Sequence, residues 1–150
     1  MSQHLNILLL SPAGNGGNAT SYVDHISCFA KHSKHSFFYH NFIYDINEDF
    51  DFTAFEVIVI AHNFWPEILS EKQRVSIKKS LALKVLFLQD EYQYVRPING
   101  LMAELGINIM FTCVAPKDHS LFYPKALIPS LREVHQVLTG YVPELSLIHI

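Results

Sequence analysis

The stretch LNILLLSPAGNGGNAT, residues 5–20, decides how the chain is read. It begins with a continuous apolar run, LNILLL (5–10), of the kind expected for a parallel strand buried on both faces. Next comes a loop with three glycines in four positions, then small residues that open a helix. Buried strand, tight loop and helix together are the first half of a βαβ unit. The loop leaves two readings open. Glycines let backbone N–H groups approach an anion at a helix N-terminus, which would hold a phosphate or a sugar. They also suit a plain tight turn between strand and helix.

The same alternation continues outward. Residues 19–32 read as a helix, with Tyr22, Val23, Ile26, Phe29 and Ala30 at helical spacing. The aromatic-rich HSFFYHNFI (35–43) fits a second strand, and Asn47–Phe52 is a polar, acidic connection. FEVIVIAH (55–62) is the most clearly β-like run. Trp65 and Pro66 then open a helix expected to run to about Ser80. LKVLFLQ (83–89) is a fourth strand. Val95–Leu105 is a helix with Pro97 in its first turn and Gly106 placed as its C-terminal cap. INIMFTC (107–113) is a fifth strand and VHQVLTGY (134–141) a sixth. Strands alternating with helices predict an α/β fold with a Rossmann-like, doubly wound parallel sheet.

Composition narrows the function classes. The chain has 150 residues, enough for one domain with a sizeable core. It is 49% hydrophobic and 17% charged, but its clean apolar runs, such as Ile7–Leu10, are far shorter than the roughly 20 residues of a membrane span. No basic residue precedes that run, as a secretory signal would require. Two cysteines, Cys28 and Cys113, make no disulfide framework, so the chain reads as cytoplasmic and reduced. The net charge of −3, without basic clustering, excludes a nucleic-acid surface. Lys31–His35 and Lys78–Lys79 fall near helix ends, where they complement the dipole.

In an open parallel sheet, ligands bind beyond the carboxyl ends of the strands. Four loops occupy that edge: Ser11–Asn18, His62–Trp65, Gln89–Tyr92 and Thr112–Pro116. In the first, Gly14, Asn15, Gly16, Gly17 and Asn18 are candidates for phosphate or sugar contact. Gly14-x-Gly16-x-x-Ala19 formally matches a dinucleotide fingerprint. Its acidic partner, Asp45, lies about thirty positions on, later than the roughly 20 the fingerprint expects. No G-x-x-x-x-G-K-S/T occurs, so a P-loop is excluded. Gln89, Asp90, Glu91 and Tyr92 form the most polar loop. Its carboxylates suit sugar hydroxyls, a metal or general-base work, or simply cap the next helix. His62 and Asn63 follow the third strand, where the histidine suits a hydroxyl, a phosphate or proton transfer, or rests satisfied by a neighbouring loop. His62, Asp90 and Glu91 are the catalytic candidates. No metal site is expected, since the nine histidines lack ligand spacing. His25 and His32 share a helix face expected at the surface, and Cys28 reads as buried packing. A G-x-S-x-G nucleophile elbow is absent.

Four stretches carry a resemblance: ILLLSPAGNGGNATSYVDHI, FEVIVIAHNFW, KVLFLQDEYQYV with GLMAELGINIMFTC, and VLTGYVPE. With them the chain resembles the N-terminal half of a GT-B-type glycosyltransferase of the family 4 or family 1 kind. The resemblance implies one half of a two-domain architecture, with a mainly acceptor-binding first domain and a second domain that holds the nucleotide-sugar. It implies that the glycine loop lines the cleft near the donor phosphates. Leaving-group stabilisation would come from the second domain, so residues 1–144 alone would be inactive. Implied partners are a nucleotide-sugar, a glycan, lipid or small-molecule acceptor, the missing C-terminal domain and a peripheral membrane contact; no covalently bound cofactor is implied. The last six residues, LSLIHI (145–150), match the translation of a transposase end used in sequencing libraries. They are read as a non-native tail, with the natural chain continuing past Glu144.

Two other classes compete. A receiver or flavodoxin-type module would carry an acidic cluster or a Ser/Thr-rich phosphate loop after its first strand, where SPAGNGG stands. An NAD(P)-binding domain is permitted by Asp45 and the glycines, but no Tyr-x-x-x-Lys motif appears.

Overall fold

A computed structural model describes residues 4–11, 20–41, 47–61, 69–88 and 94–137, with backbone alone for 20–24. Six strands form the sheet: β1 (Asn6–Ser11), β2 (Ser36–Asn41), β3 (Val57–Ala61), β4 (Leu83–Phe87), β5 (Ile109–Thr112) and β6 (Glu133–Gln136). All neighbours are parallel, in the order β2-β1-β3-β4-β5-β6. Helices α1 (Thr20–His32), α2 (Glu71–Lys79), α3 (Val95–Leu105) and the single turn α4 (His119–Phe122) supply the crossovers.

The apolar runs are continuous because alternate residues serve two different cores. Leu8, Leu10, Ile58, Ile60, Leu86 and Met110 face one side, with Ile77 of α2 and Ile98, Leu101, Met102 and Leu105 of α3. Ile7, Leu9, Val59, Ala61 and Val85 face the other, with Ile26 and Phe29 of α1. This is the doubly wound α/β arrangement the alternation predicts. Right-handed connections require it: the chain steps one way from β1 to β2, then crosses β1 and steps the other way from β3 onward. The strand order extends the 2-1-3-4-5 doubly wound series by one strand and is not the 3-2-1-4-5-6 dinucleotide order.

Beside α1, the second face continues as an aromatic ladder. Phe29 meets Phe87 edge-on at 5.4 Å, Phe87 stacks on Phe111 at 4.4 Å, and Phe111 stacks on His135 at 5.3 Å. Among the described residues, α1 is the only helix contributing to this core.

Several boundaries differ from expectation. The helix expected from Trp65 begins at Glu71, because Ser70 caps it. The Ser70 hydroxyl accepts the Gln73 N–H at 3.3 Å, and the Ser70 N–H donates to Gln73 Oε1 at 2.8 Å, a reciprocal capping box. Residues 62–68 lie outside the described region. The acidic 47–52 connection hides an anchor: Phe52 is buried in the main core, in a 3-10 turn that Asp51 caps through the Thr53 N–H. Gly106 ends α3 at φ +74, donating its N–H to the Met102 carbonyl. The sixth strand is short, and Val137 N–H donates to Thr112 O at 2.8 Å just past it. Among the described residues, no helix is long and apolar enough to cross a membrane.

Candidate functional site

The apolar strands end in polar residues at one edge of the sheet. Ser11 and Asn41 are level with each other and buried, and Thr112 is fully buried. Leu10 is level with Ile60, so Ser11 and Ala61 end β1 and β3 side by side. Between these strands the chain reverses direction: β1 leads to α1 on one face and β3 to α2 on the other. In a doubly wound sheet such a reversal is the switch point at which ligands bind. The helices run back against the strands, so the N-termini of α1, α2 and α3 lie along this edge and favour negative charge.

α2 meets its own N-terminal demand with Ser70 and Glu71. At α3 the arrangement differs. The N-cap is Tyr94, in the left-handed region at φ 60 and ψ 27, with no side-chain cap bond. For a bulky L-residue that conformation costs roughly 1–2 kcal/mol. Strain of this kind gathers at functional segments, and Tyr94 directly follows the polar run QDEYQ (89–93). Sequence reasoning missed Tyr94, since no residue-type signal marks a tyrosine for positive φ.

Gly14, Asn15, Gly16, Gly17, Asn18, Asp45, His62, Asn63, Gln89, Asp90, Glu91 and Tyr92 lie outside the described residues, as does the 145–150 tail. Their roots are described. Residues 12–19 leave from Ser11, 62–68 from Ala61 and 89–93 from Leu88, so three candidate segments start from the adjacent strands β1, β3 and β4.

The fourth loop is described in full. Thr112 Oγ1 and Tyr123 OH share a hydrogen bond of 2.9 Å, and Val114 N–H donates to Thr112 Oγ1 at 3.1 Å. His119 Nε2 donates to the Val114 carbonyl at 2.9 Å, which leaves Nδ1 as the acceptor of the neutral ring. These bonds fix the end of β5, while Cys113 beside them is half-buried.

His25 corrects an expectation. It is half-buried, not a surface group: its ring stacks on Phe29 at 5.4 Å and meets the edge of Phe87 at 5.8 Å. Burial holds its pKa below the usual histidine value. His25 and His32 share a cavity of about 350 Å³ with Cys28 and His35, close to the starts of β1 and β2. Cys28 is thus half-buried and lines that cavity. Among the described residues, no group of three or more His, Cys, Asp or Glu is placed to hold a metal ion.

No family model matches the chain, and no curated protein or solved structure matches it either.

Proposed function

We propose that the crevice at the carboxyl ends of β1, β3 and β4 binds a phosphate-bearing sugar nucleotide, and that the chain is the acceptor-side domain of a GT-B-type glycosyltransferase. The observation that carries this reading is that three polar segments leave from the adjacent parallel strands β1, β3 and β4, around the switch point. In this mechanism the backbone N–H groups of Gly14, Gly16 and Gly17 approach the donor phosphates. Asp90 or Glu91 accepts a hydrogen bond from an acceptor hydroxyl and serves as general base, with His62 as the alternative proton carrier. Asn15, Asn18, Asn63, Gln89 and Tyr92 orient sugar hydroxyls. Charge on the departing diphosphate is stabilised from a second, donor-binding domain, and residues 1–144 alone do not turn over. The acceptor is a glycan, a lipid or a small molecule, and a lipid acceptor would bring peripheral membrane contact. The protein works in the cytoplasm, where Cys28 and Cys113, which form no disulfide in the fold, stay reduced.

A second reading has its own support. A switch point of this kind also serves a single-domain nucleotide- or NAD(P)-binding module, and the 2-1-3-4-5 order is that of mononucleotide binders. Calorimetric titration with a uridine diphosphate sugar, flavin mononucleotide and NADH separates the two. The glycosyltransferase reading expects heat with the sugar nucleotide, lost in Gly16→Val with the circular dichroism spectrum unchanged. Binding of flavin mononucleotide or NADH alone selects the second reading, and binding of none of the three refutes both.

A further inference from the structure

We propose that the β5–β6 crossover holds a second ligand site, for a small organic anion with an apolar body. A cavity of about 590 Å³ opens there, within the roughly 300–1,000 Å³ of small-molecule sites. Its floor is apolar, from Tyr123 and Leu131, both buried, and Val134 of β6. Lys125 and Arg132 line it, together with Ser120 and His119, and no carboxylate does. That lining runs against the composition, in which 14 acidic residues outnumber 11 basic ones. Among the described residues, neither Lys125 nor Arg132 makes an ion pair. Two cations facing one apolar-floored cavity complement a carboxylate or phosphate carried on a ring or short chain, and the arginine offers its planar fork to two oxygens.

The walls are held by bonds that leave the two charged groups uncommitted. The Tyr123 hydroxyl is fixed on Thr112. Leu127 N–H and Ile128 N–H both donate to the Pro124 carbonyl, and Leu131 N–H donates to Ile128 O. Arg132 is tethered by its backbone, whose N–H donates to Asn108 O at 2.8 Å. The cavity therefore exists before any ligand arrives, which lowers the ordering cost of binding. It lies beside β5 and β6, with β4 between it and the β1/β3 switch point, and the inference does not rest on the glycosyltransferase reading.

The test follows backbone amide NMR shifts of the full chain during titration with phenyl phosphate, benzoate, inorganic phosphate and benzyl alcohol. Phenyl phosphate and benzoate are expected to shift Ser120, Ala126 and Arg132 and to compete with each other, with the tighter of the two identifying the head group. Inorganic phosphate, lacking the ring, binds more weakly than phenyl phosphate. Losing two charge-assisted contacts in the Lys125→Met, Arg132→Met double variant weakens binding by at least about tenfold. The variant's spectrum stays folded, because neither side chain supports the backbone pairing. Equal binding of benzyl alcohol, unchanged affinity in the double variant, or shifts confined to other residues would overturn the proposal. A uridine diphosphate sugar binding at Ser11 and Ala61 with equal affinity in both proteins keeps the two sites separate; the same loss for both ligands would overturn the assignment of a second site.

Discussion

Replacing Thr112 with valine exchanges one hydroxyl for a methyl group at nearly constant volume, so packing is preserved and hydrogen bonding is not. Thr112 is 0% exposed and Tyr123 is 3% exposed, so neither loss is readily made good by water. The substitution removes the 2.9 Å hydroxyl pair and the 3.1 Å bond from the Val114 N–H. Stranding a buried donor costs about 1–3 kcal/mol, and with Val114 only partly buried the expected destabilisation is about 2 kcal/mol. For a chain of this length that lowers Tm by about 4–8 °C. Tyr123→Phe removes the shared bond and costs about 1 kcal/mol. Guanidinium unfolding of both single variants and the double variant closes the cycle. The double variant should fall short of the summed single effects by about 1 kcal/mol. Strict additivity, or a Thr112→Val protein as stable as the parent, would refute the claim that this pair pins the end of β5.

Other residues give independent expectations. Ser70→Ala should cost about 1 kcal/mol in chemical unfolding, because the reciprocal cap at α2 is lost; Ser70→Gly should lose only a few tenths. Gly106→Ala should destabilise by about 1 kcal/mol through its left-handed φ, since the added Cβ meets nothing nearer than Lys84 Cδ at 4.0 Å; a stabilised variant would contradict that conformation. His25 resists protonation in the folded protein, so the unfolded chain binds more protons just below its ordinary pKa. Stability contributed by the neutral ring is complete above about pH 6.5 and falls as the pH drops through that value. His25→Phe should flatten this part of the stability–pH curve, and an unchanged slope would remove His25 as its source.

The parts of the fold that could be read from sequence are those that bury apolar surface in a regular way. VIVI in β3 and ILLL in β1 have no alternation because both faces are covered, and that gave the parallel sheet. Strand order could not be read, since apolar runs carry no label for their neighbours; the 2-1-3 arrangement emerges only from the pairings of β1. α2 begins at Glu71 because the Ser70–Gln73 capping box sets its first turn there, a reciprocal bond that no apolar period announces. Phe52 was hidden within an acidic stretch, where one buried aromatic makes no period. At the candidate site, the loop roots were legible as polar residues ending apolar strands, as at Ser11 and Thr112. The strained Tyr94 and the cationic cavity at Lys125 and Arg132 were not. One depends on a backbone torsion, and the other on residues that only the turn after α4 brings together.

The central claim is that the β1/β3 switch point is the ligand crevice. The direct measurement is a backbone amide NMR titration of the full chain with a uridine diphosphate sugar. The account predicts saturable shifts at Ser11, Ala61 and Leu88, extending into 12–19, 62–68 and 89–93, with β6 and the start of β2 unmoved. Shifts centred on the His25–His35 cavity or the β5–β6 crossover, or no shift at any residue, would contradict it.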